Sequence, residues 1–396
     1  MHLSDTISRL SESATLAMAR MARELAAEGH DVISLSLGEP DFNTPDFVKD
    51  AAKKAIDENY SHYPPVNGYG PVREAISTKF KRDNNLDYSP DQIVVSTGAK
   101  QSIANVVMAV VSSGEEVILP APYWVSYSEI VKLANGKPVV IPTSIENDFK
   151  ITATELEAAI TPNTRMMIFS SPCNPSGSVY THDELESLAS VIKKHPSLYV
   201  ISDEIYELIN FSGRHESLGT FSSIYDQVIT INGVSKAFAM TGWRLGYIGA
   251  PQWIAKACSK MQGQFTSAPS GISQMAAMAA VEADPSVTEG MKREFFKRRD
   301  MVLGLLNEIP GMKTNIPEGA FYIFPDISDF FGKSDGSTTI NSAADLCMYI
   351  LKDAHVALVE GGAFGSPNCL RISYAASEAQ LREACARLKN TLAKLK

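Results

Sequence analysis

A lysine at position 236 follows the apolar run 228–231 after the four residues Asn-Gly-Val-Ser. So close to a core strand, its side chain is expected to lose part of its hydration. Desolvation lowers the pKa of a lysine, and the neutral amine can form an imine with an aldehyde. A solvated lysine at a strand end is the alternative. Arg244, eight residues further on and beside small residues that admit a ligand, favours an aldehyde-binding site.

An aspartate and a tyrosine follow the apolar run 199–201. A carboxylate such as Asp203 at the end of a buried strand needs a cationic partner or strong hydrogen bonds. The protonated ring nitrogen of pyridoxal 5′-phosphate (PLP) is such a partner, and the PLP aldehyde suits Lys236. Tyr206 reaches the same side if a helical turn begins here. The alternatives are a helix N-cap for Asp203 and a core aromatic for Tyr206.

Two further residues follow apolar runs and fit a PLP ring. Asn174 lies in a turn that two prolines and a glycine make rigid, and its amide could contact the 3′-oxygen of PLP. Trp124 follows the run 117–119 and could stack on the ring face. The alternatives are a turn-capping role for Asn174 and a core position for Trp124.

Two features of the sequence are suited to anions. Gly98, Ala99 and Lys100 join the run 93–95 to a helix, and the free N–H groups at a helix start bind phosphate well. Arg371 lies inside an apolar strand, where a guanidinium needs an anion such as the carboxylate of an amino-acid substrate. A structural turn and a structural salt bridge are the respective alternatives.

The elements that must position these residues alternate between strands and helices. The five runs (93–95, 117–119, 166–169 before Asn174, 199–201 and 228–231) are apolar throughout, which is typical of parallel strands buried on both faces. Ligands bind beyond the carboxyl ends of such strands. We predict an α/β large domain over 46–285, with a mostly parallel sheet between helices. A small α+β domain would comprise 286–396 together with the N-terminal segment 1–45, whose residues 14–28 form a helix that ends at Gly29.

Bulk properties exclude several classes of function. The 396 residues carry a net charge of −9 and no basic block, so neither nucleic acid nor an anionic membrane is an expected partner. The longest apolar stretches, such as 104–111, are too short for a membrane span, and no signal peptide is visible. Five cysteines without a pattern predict reduced thiols and a cytoplasmic location, and no motif predicts a metal.

The run 233–246 resembles the PLP-attachment signature of class I aminotransferases. Other motifs occur in that family's order across nearly the whole chain, and the nearest branch is the shorter type of bacterial aspartate aminotransferase. These motifs are Tyr63-Pro-Pro-x-Asn-Gly, Thr97-Gly-Ala-Lys100, Pro122-Tyr-Trp124, Asn174-Pro-x-Gly177, Asp203-x-x-Tyr206 and Leu370-Arg-Ile-Ser373.

The resemblance implies fold type I and a role for each matching residue. Lys236 would bind PLP as a Schiff base, with Asp203 at the ring nitrogen, Asn174 and Tyr206 at the 3′-oxygen and Trp124 on the ring. Phosphate contacts would come from Gly98, Ala99, Lys100 and Arg244, and the substrate carboxylate would bind Arg371 with help from Gly38. Tyr63 would reach the phosphate of the neighbouring subunit, which implies a homodimer.

Two positions depart from the family pattern. Many relatives have a serine where this chain has Gly233, so a side-chain contact to the phosphate is absent there. The stretch Ser11-Glu12-Ser13-Ala14-Thr15 aligns with a segment that is often Lys-Pro-Ser-Ala-Thr, so a basic residue for a distal carboxylate is missing at that place.

The reaction implied by the resemblance is transamination between an amino acid and a 2-oxo acid, with aspartate and 2-oxoglutarate as the expected pair. An aminotransferase for aromatic or other amino acids and a PLP-dependent β-lyase are the alternatives. A non-enzymatic PLP-binding regulator is disfavoured because the chain is negatively charged and no DNA-binding extension precedes the fold.

Overall fold

The structure is a computed structural model that describes residues 3–396. Several helices begin at a threonine or serine whose side chain caps the first turn, as Thr181 and Ser377 do with Glu184 and Gln380. The helices are α1 (Asp5–Ser8), α2 (Ala14–Ala27), α3 (Asp46–Asp57), α4 (Gly70–Asn84), α5 (Ala99–Val110), α6 (Ser126–Leu133), α7 (Ala153–Ala159), α8 (His182–Ile192), α9 (Gln252–Phe265), α10 (Gly271–Glu282), α11 (Glu289–Leu306), α12 (Ala343–Asp353) and α13 (Glu378–Leu392).

The strands form one large sheet and two small ones. The large sheet has the order β2-β8-β7-β6-β5-β3-β4, and β8 alone runs antiparallel to its neighbours. The strands are β1 (Ile33–Ser34), β2 (Ile93–Ser96), β3 (Glu116–Pro120), β4 (Lys137–Ile141), β5 (Thr164–Ser170), β6 (Tyr199–Asp203), β7 (Val228–Gly233), β8 (Gly246–Gly249), β9 (Tyr322–Ile323), β10 (Val356–Ala357), β11 (Val359–Glu360) and β12 (Leu370–Ser373).

Helices cover both faces of the large sheet, which explains why its strands are apolar throughout. Alternate residues of one strand enter different cores: Val94 packs with α5, α6 and α9, whereas Ile93 and Val95 pack with α3, α4 and α10. Burial on both faces fixes the register of the sheet, because a shift by one residue would exchange the two cores. The predicted α/β class with a mostly parallel sheet between helices is confirmed.

The two ends of the chain pack together. Strand β1 pairs in parallel with β10, and residues of α2 share one core with α11, α12 and α13. Strands β11, β12 and β9 form an antiparallel sheet in the same region. This packing agrees with a small domain built from both ends, and the boundaries at 45/46 and 285/286 stay a prediction. No helix within residues 3–396 has the length and apolar character that a membrane crossing requires.

Candidate active site

A cavity of about 360 Å³ lies at the carboxyl edge of the large sheet. Four parallel strands (β3, β5, β6 and β7) and the start of α5 after β2 each deliver at least one of its side chains, as expected for an open parallel sheet. Ten of the predicted site residues line it: Gly38, Ala99, Lys100, Trp124, Asn174, Asp203, Tyr206, Lys236, Arg244 and Arg371.

Lys236 lies three residues beyond the end of β7. Its Nζ donates a hydrogen bond to the carbonyl oxygen of Gly38 at 2.6 Å, and no carboxylate within residues 3–396 forms an ion pair with it. Burial and the nearby charge of Arg371 lower the pKa of Lys236 to about 8. The side chain therefore has the property that the sequence predicted, an amine that becomes neutral close to physiological pH.

Asp203 ends β6 and is only 4% exposed. The Tyr127 hydroxyl donates to its Oδ2 at 2.6 Å, and the Ile205 amide donates to Oδ1 at 3.3 Å. Burial nevertheless raises the pKa of Asp203 to about 6, because two neutral donors do not replace the lost water. A cation placed beside this carboxylate would stabilise its charged form. Tyr127 was missed in the sequence, since its position on α6 is that of an ordinary core aromatic.

Arg371 is 2% exposed and lies in the middle of β12. Its Nη1 donates to Asn174 Oδ1 at 3.0 Å and its Nη2 to the carbonyl oxygen of Ser36 at 2.5 Å. Its Nε is buried without a hydrogen-bond partner, and no carboxylate of the described chain neutralises the guanidinium. The structural salt bridge that was the alternative in the sequence is therefore not formed among residues 3–396. A buried, unpaired guanidinium is a binding site for an external carboxylate.

The N-terminus of α5 and Arg244 lie together at another part of the cavity. Gly98 has a φ of +83°, and a Cβ at this position would collide with the guanidinium of Arg244. Gly98 does not itself line the cavity, and its contribution is to let Arg244 approach Ala99. Ser235 also lines this cavity beside Lys236. A cation at a helix N-terminus is suited to a phosphate group.

Gly233 is required by packing. An added Cβ would lie 2.9 Å from both the Cα of Gly246 and the carbonyl oxygen of Leu245, where β7 and β8 pair. A serine at position 233, which the family pattern would supply, therefore has no room in this backbone. Ser235, two residues on, offers the cavity a hydroxyl.

Lys100 supplies a cation that the sequence analysis had not assigned to the substrate. Its Nζ lies 5.0 Å from the centre of the Trp124 ring, and no carboxylate of the described residues pairs with it. Burial and the charge of Arg244 lower its pKa. Ser13 and Thr15 line the same cavity, so the segment that lacks the family's basic residue is close to this lysine.

Tyr206 and Tyr322 meet through their hydroxyl oxygens at 2.8 Å, and both side chains are buried. Tyr322 belongs to β9 and was missed, because a tyrosine inside the apolar stretch 320–324 is indistinguishable from a core residue. Tyr63, in contrast, does not line the cavity and is 98% exposed. The structure therefore separates Tyr63 from the site of its own chain.

The charges of the cavity fit PLP together with an amino acid. Lys236 suits the aldehyde, Asp203 suits a protonated ring nitrogen, and Arg244 with the start of α5 suits the phosphate. The orphaned Nε of Arg371 and the orphaned hydroxyl of Ser170, which also lines the cavity, are polar atoms without a protein partner. Fold and cavity together define an enzyme of fold type I.

Comparison with known proteins leads to the same class. The chain matches the family described as aminotransferase class I and II over residues 30–388. It is 47% identical over 399 residues to the bifunctional aspartate aminotransferase and glutamate/aspartate-prephenate aminotransferase of Petunia hybrida, covering 100% of this chain and 83% of that one. It is 46% identical to the aspartate/prephenate aminotransferase of Cereibacter sphaeroides, covering 98% of each chain.

Solved structures agree with the sequence relatives. The aspartate aminotransferase of Rhizobium meliloti superposes with a TM-score of 0.97 at 42% identity, covering 100% of both chains. The aspartate aminotransferase of Thermus thermophilus with maleate gives a TM-score of 0.93 at 37% identity, covering 99% of this chain and 100% of that one. The protein belongs to the class I and II aminotransferases. The resemblance inferred from its motifs is thus confirmed.

Proposed function

We propose that the protein is a PLP-dependent aminotransferase that binds PLP covalently on Lys236 and transfers the amino group of aspartate to 2-oxoglutarate. The observation that carries this proposal is the presence of Lys236 and Arg371 in one cavity. A lysine with a lowered pKa beside a buried, unpaired guanidinium suits a substrate that has both an amino group and a carboxylate.

When bound, PLP supplies an aldehyde that reacts with the substrate amine and a ring that accepts the electron pair of the α-carbon. The chain's own residues hold it in place. Asp203 would hold a negative charge beside the ring nitrogen, with the Tyr127 hydroxyl orienting its Oδ2. Trp124 would stack on the ring, and Asn174 and Tyr206 would contact the 3′-oxygen. The phosphate would lie at Ala99 and Arg244, with Gly98 giving the Arg244 guanidinium room to approach the start of α5.

Proton transfer falls to Lys236. Once free, its Nζ removes the α-proton of the substrate and later returns a proton, so that it acts as general base and then as general acid. A pKa near 8 suits both roles, because neither protonation state is strongly disfavoured. Arg371 binds the α-carboxylate with two parallel N–H donors and thereby fixes the α-carbon within reach of Lys236.

Lys100 supports a dicarboxylate substrate. Two unpaired cations in one cavity, Arg371 and Lys100, match the two carboxylates of aspartate and 2-oxoglutarate. The missing basic residue near Ser11 removes one cation of the family pattern, and Lys100 offers another. The names of the Petunia and Cereibacter relatives include aspartate and also prephenate, which has two carboxylates of its own.

A panel of amino donors and acceptors tests the proposed reaction. We expect aspartate with 2-oxoglutarate to give oxaloacetate and glutamate, and prephenate belongs in the acceptor series. Conversion of aromatic or neutral donors with no reaction of aspartate would leave only the aminotransferase class. Steady release of pyruvate and ammonia without an acceptor would identify a β-lyase.

A variant of Lys100 sharpens this panel. Lys100→Met should lower kcat/KM for aspartate by about tenfold, the scale of one charge-assisted contact, and leave an aromatic donor within about twofold. Lys193→Met, at an exposed site just beyond α8, is the matched control and should change neither value. Equal losses for both donors would assign Lys100 to the cofactor alone.

The proposal extends to assembly and location. Tyr63 is exposed and absent from its own cavity, which supports a homodimer in which it contacts the PLP phosphate of the partner subunit. All five cysteines are buried free thiols, which supports a cytoplasmic location. Analytical ultracentrifugation tests the dimer, and loss of PLP affinity in Tyr63→Phe tests the contact.

A further inference from the structure

Tyr322 lines the cavity, and it contacts residues near Lys236 as well as Arg371. Its hydroxyl is 2.8 Å from the Tyr206 hydroxyl, and a Cβ on Gly38 would collide with it. The carbonyl of that same Gly38 accepts the hydrogen bond from Lys236. The guanidinium of Arg371 lies 4.7 Å from the centre of the Tyr322 ring. One tyrosine therefore contacts the residues that hold the cofactor and the substrate carboxylate.

The hydrogen bond between the two tyrosines has a direction when PLP is bound. Burial raises the pKa of both Tyr206 and Tyr322, so both remain protonated and each has one hydrogen to donate. If Tyr206 donates its hydrogen to the 3′-oxygen of PLP, the bond between the tyrosines must come from Tyr322. The positive charge of Arg371 near the Tyr322 ring makes this hydroxyl the better donor.

Tyr322 is held so that its hydroxyl keeps this position. Its strand β9 pairs with β12, which carries Arg371, and Ser373 is its direct partner in the ladder. Tyr206 is on the other side of the contact, in the turn after β6 of the large sheet. The hydrogen bond thus joins the small antiparallel sheet to the large sheet inside the cavity.

We propose that Tyr322 is a positioning residue that donates to the Tyr206 oxygen and thereby fixes the Tyr206 hydrogen on the 3′-oxygen of PLP. This inference rests on the proposed function, because it requires PLP on Lys236. Tyr322 acts by positioning Tyr206 and does not itself contact the reacting atoms.

The consequence is measurable without turnover. A hydrogen bond to the negatively charged 3′-oxygen stabilises the deprotonated form of the Lys236–PLP linkage and lowers its pKa. The other charged groups around Lys236 are Arg371, Glu39, Arg244 and Asp203, and removing one hydroxyl leaves them in place. Loss of one hydrogen bond, worth about 1 kcal/mol, corresponds to an upward shift of about half to one pKa unit.

The experiment is a pH titration of the absorbance of the PLP-loaded enzyme. Tyr322→Phe should raise the pKa of the linkage by about half to one unit, and Tyr206→Phe should raise it further. The double variant should match Tyr206→Phe alone, because Tyr322 acts through Tyr206. Tyr374→Phe is the matched control, since that buried hydroxyl donates to the Ala320 carbonyl outside the cavity, and it should leave the pKa unchanged.

Two outcomes overturn the inference. The first is an unshifted titration in Tyr322→Phe, and the second is a shift of the same size in the Tyr206→Phe background. Gly38→Ala is a second way to displace the Tyr322 hydroxyl. Any shift of the linkage pKa that it causes through Tyr206 must likewise be absent when Gly38→Ala is combined with Tyr206→Phe. Absence of any PLP absorbance in the wild-type protein would instead contradict the proposed function itself.

Discussion

Two groups of charged side chains meet at the short segment from Asp203 to Glu207. Asp203 and Tyr206 belong to the cavity, where Lys236, Lys100, Arg244 and Arg371 have no carboxylate partner among residues 3–396. The intervening Glu204 and the final Glu207 belong to a second group, which we call the paired cluster: Lys79, Asn84, Glu204, Glu207 and His215.

Every charge in the paired cluster meets an opposite charge. Lys79 pairs with Glu207, which also accepts from Asn84 at 2.5 Å, and His215 Nε2 lies 3.0 Å from Glu204. Three of these residues have the types and spacing of a metal site, but the Lys79 ammonium already neutralises Glu207. The comparison shows which buried charge is available to a ligand: Arg371, which is 2% exposed and has no carboxylate partner from the described chain.

The largest expected effect lies on the cavity side of the segment. Asp203→Asn removes the charge that we propose faces the ring nitrogen of PLP, and we expect turnover to fall by about two to four decades and PLP affinity to fall as well. The variant should fold, because Tyr127 can still donate to the amide oxygen. Steady-state kinetics and PLP titration measure both effects.

A matched aspartate separates this effect from a general loss of charge. Asp183→Asn changes an exposed residue in the first turn of α8 and should leave turnover unchanged. Near-normal turnover in Asp203→Asn would mean that Asp203 only caps the turn after β6.

The next effect contrasts one cation from each group. Arg371→Lys keeps the charge but loses the paired donors, so every amino-acid substrate should lose about 2–5 kcal/mol of transition-state binding, with little change in stability. Lys79→Met leaves Glu207 buried and unpaired and should cost about 3–5 kcal/mol of unfolding free energy, with little change in kcat/KM. Kinetics and urea denaturation of both variants provide the comparison.

The reverse pattern would break the distinction between the groups. A large stability loss with normal kinetics in Arg371→Lys would identify a structural guanidinium. A large kinetic loss with normal stability in Lys79→Met would place the paired cluster in the active machinery.

The smallest effect is a pH dependence of stability. Burial alone would lower the pKa of His215, but the charge and hydrogen bond of Glu204 raise it above the value in the unfolded chain. A histidine with a raised pKa in the folded state stabilises the fold while it is protonated. This contribution to the free energy of unfolding is complete below the histidine pKa of about 6.5 in the unfolded chain, and it is lost as the pH rises through the higher pKa of the folded state. His215→Gln should therefore destabilise the protein most at about pH 6, and its deficit should shrink as the pH rises above about 6.5.

Urea denaturation at a series of pH values measures this dependence. A deficit that grows as the pH rises would show that His215 is neutral in the folded protein.

Much of the fold was predictable because its strands are buried on both faces. The apolar runs at β2, β3, β5, β6 and β7 were found in the sequence, as was the N-terminal helix α2. Strand β4 was missed because it is an edge strand that is partly exposed, and β8 because Gly246 and Gly249 interrupt its apolar pattern. Both strands form because they pair with neighbouring strands, and the residues of a strand alone do not show which strands it will pair with.

The site was predictable where a polar residue follows an apolar run. Lys236, Asp203 and Asn174 carry this signal, and the cavity contains all three. Tyr127 and Tyr322 do not, because their helix and strand positions are those of core aromatics. The paired cluster has no sequence signal, since Lys79 and His215 are distant from each other in the chain and only the fold brings them together.

The most direct test of the account is to find the lysine that carries PLP. Borohydride reduction of the PLP-loaded enzyme followed by peptide mass mapping should place the pyridoxyl group on Lys236, and Lys236→Ala should bind PLP without α-proton transfer. The unpaired Lys100 is an internal control, because it lines the same cavity. A pyridoxyl group on Lys100, or on a lysine outside the cavity, would contradict the account.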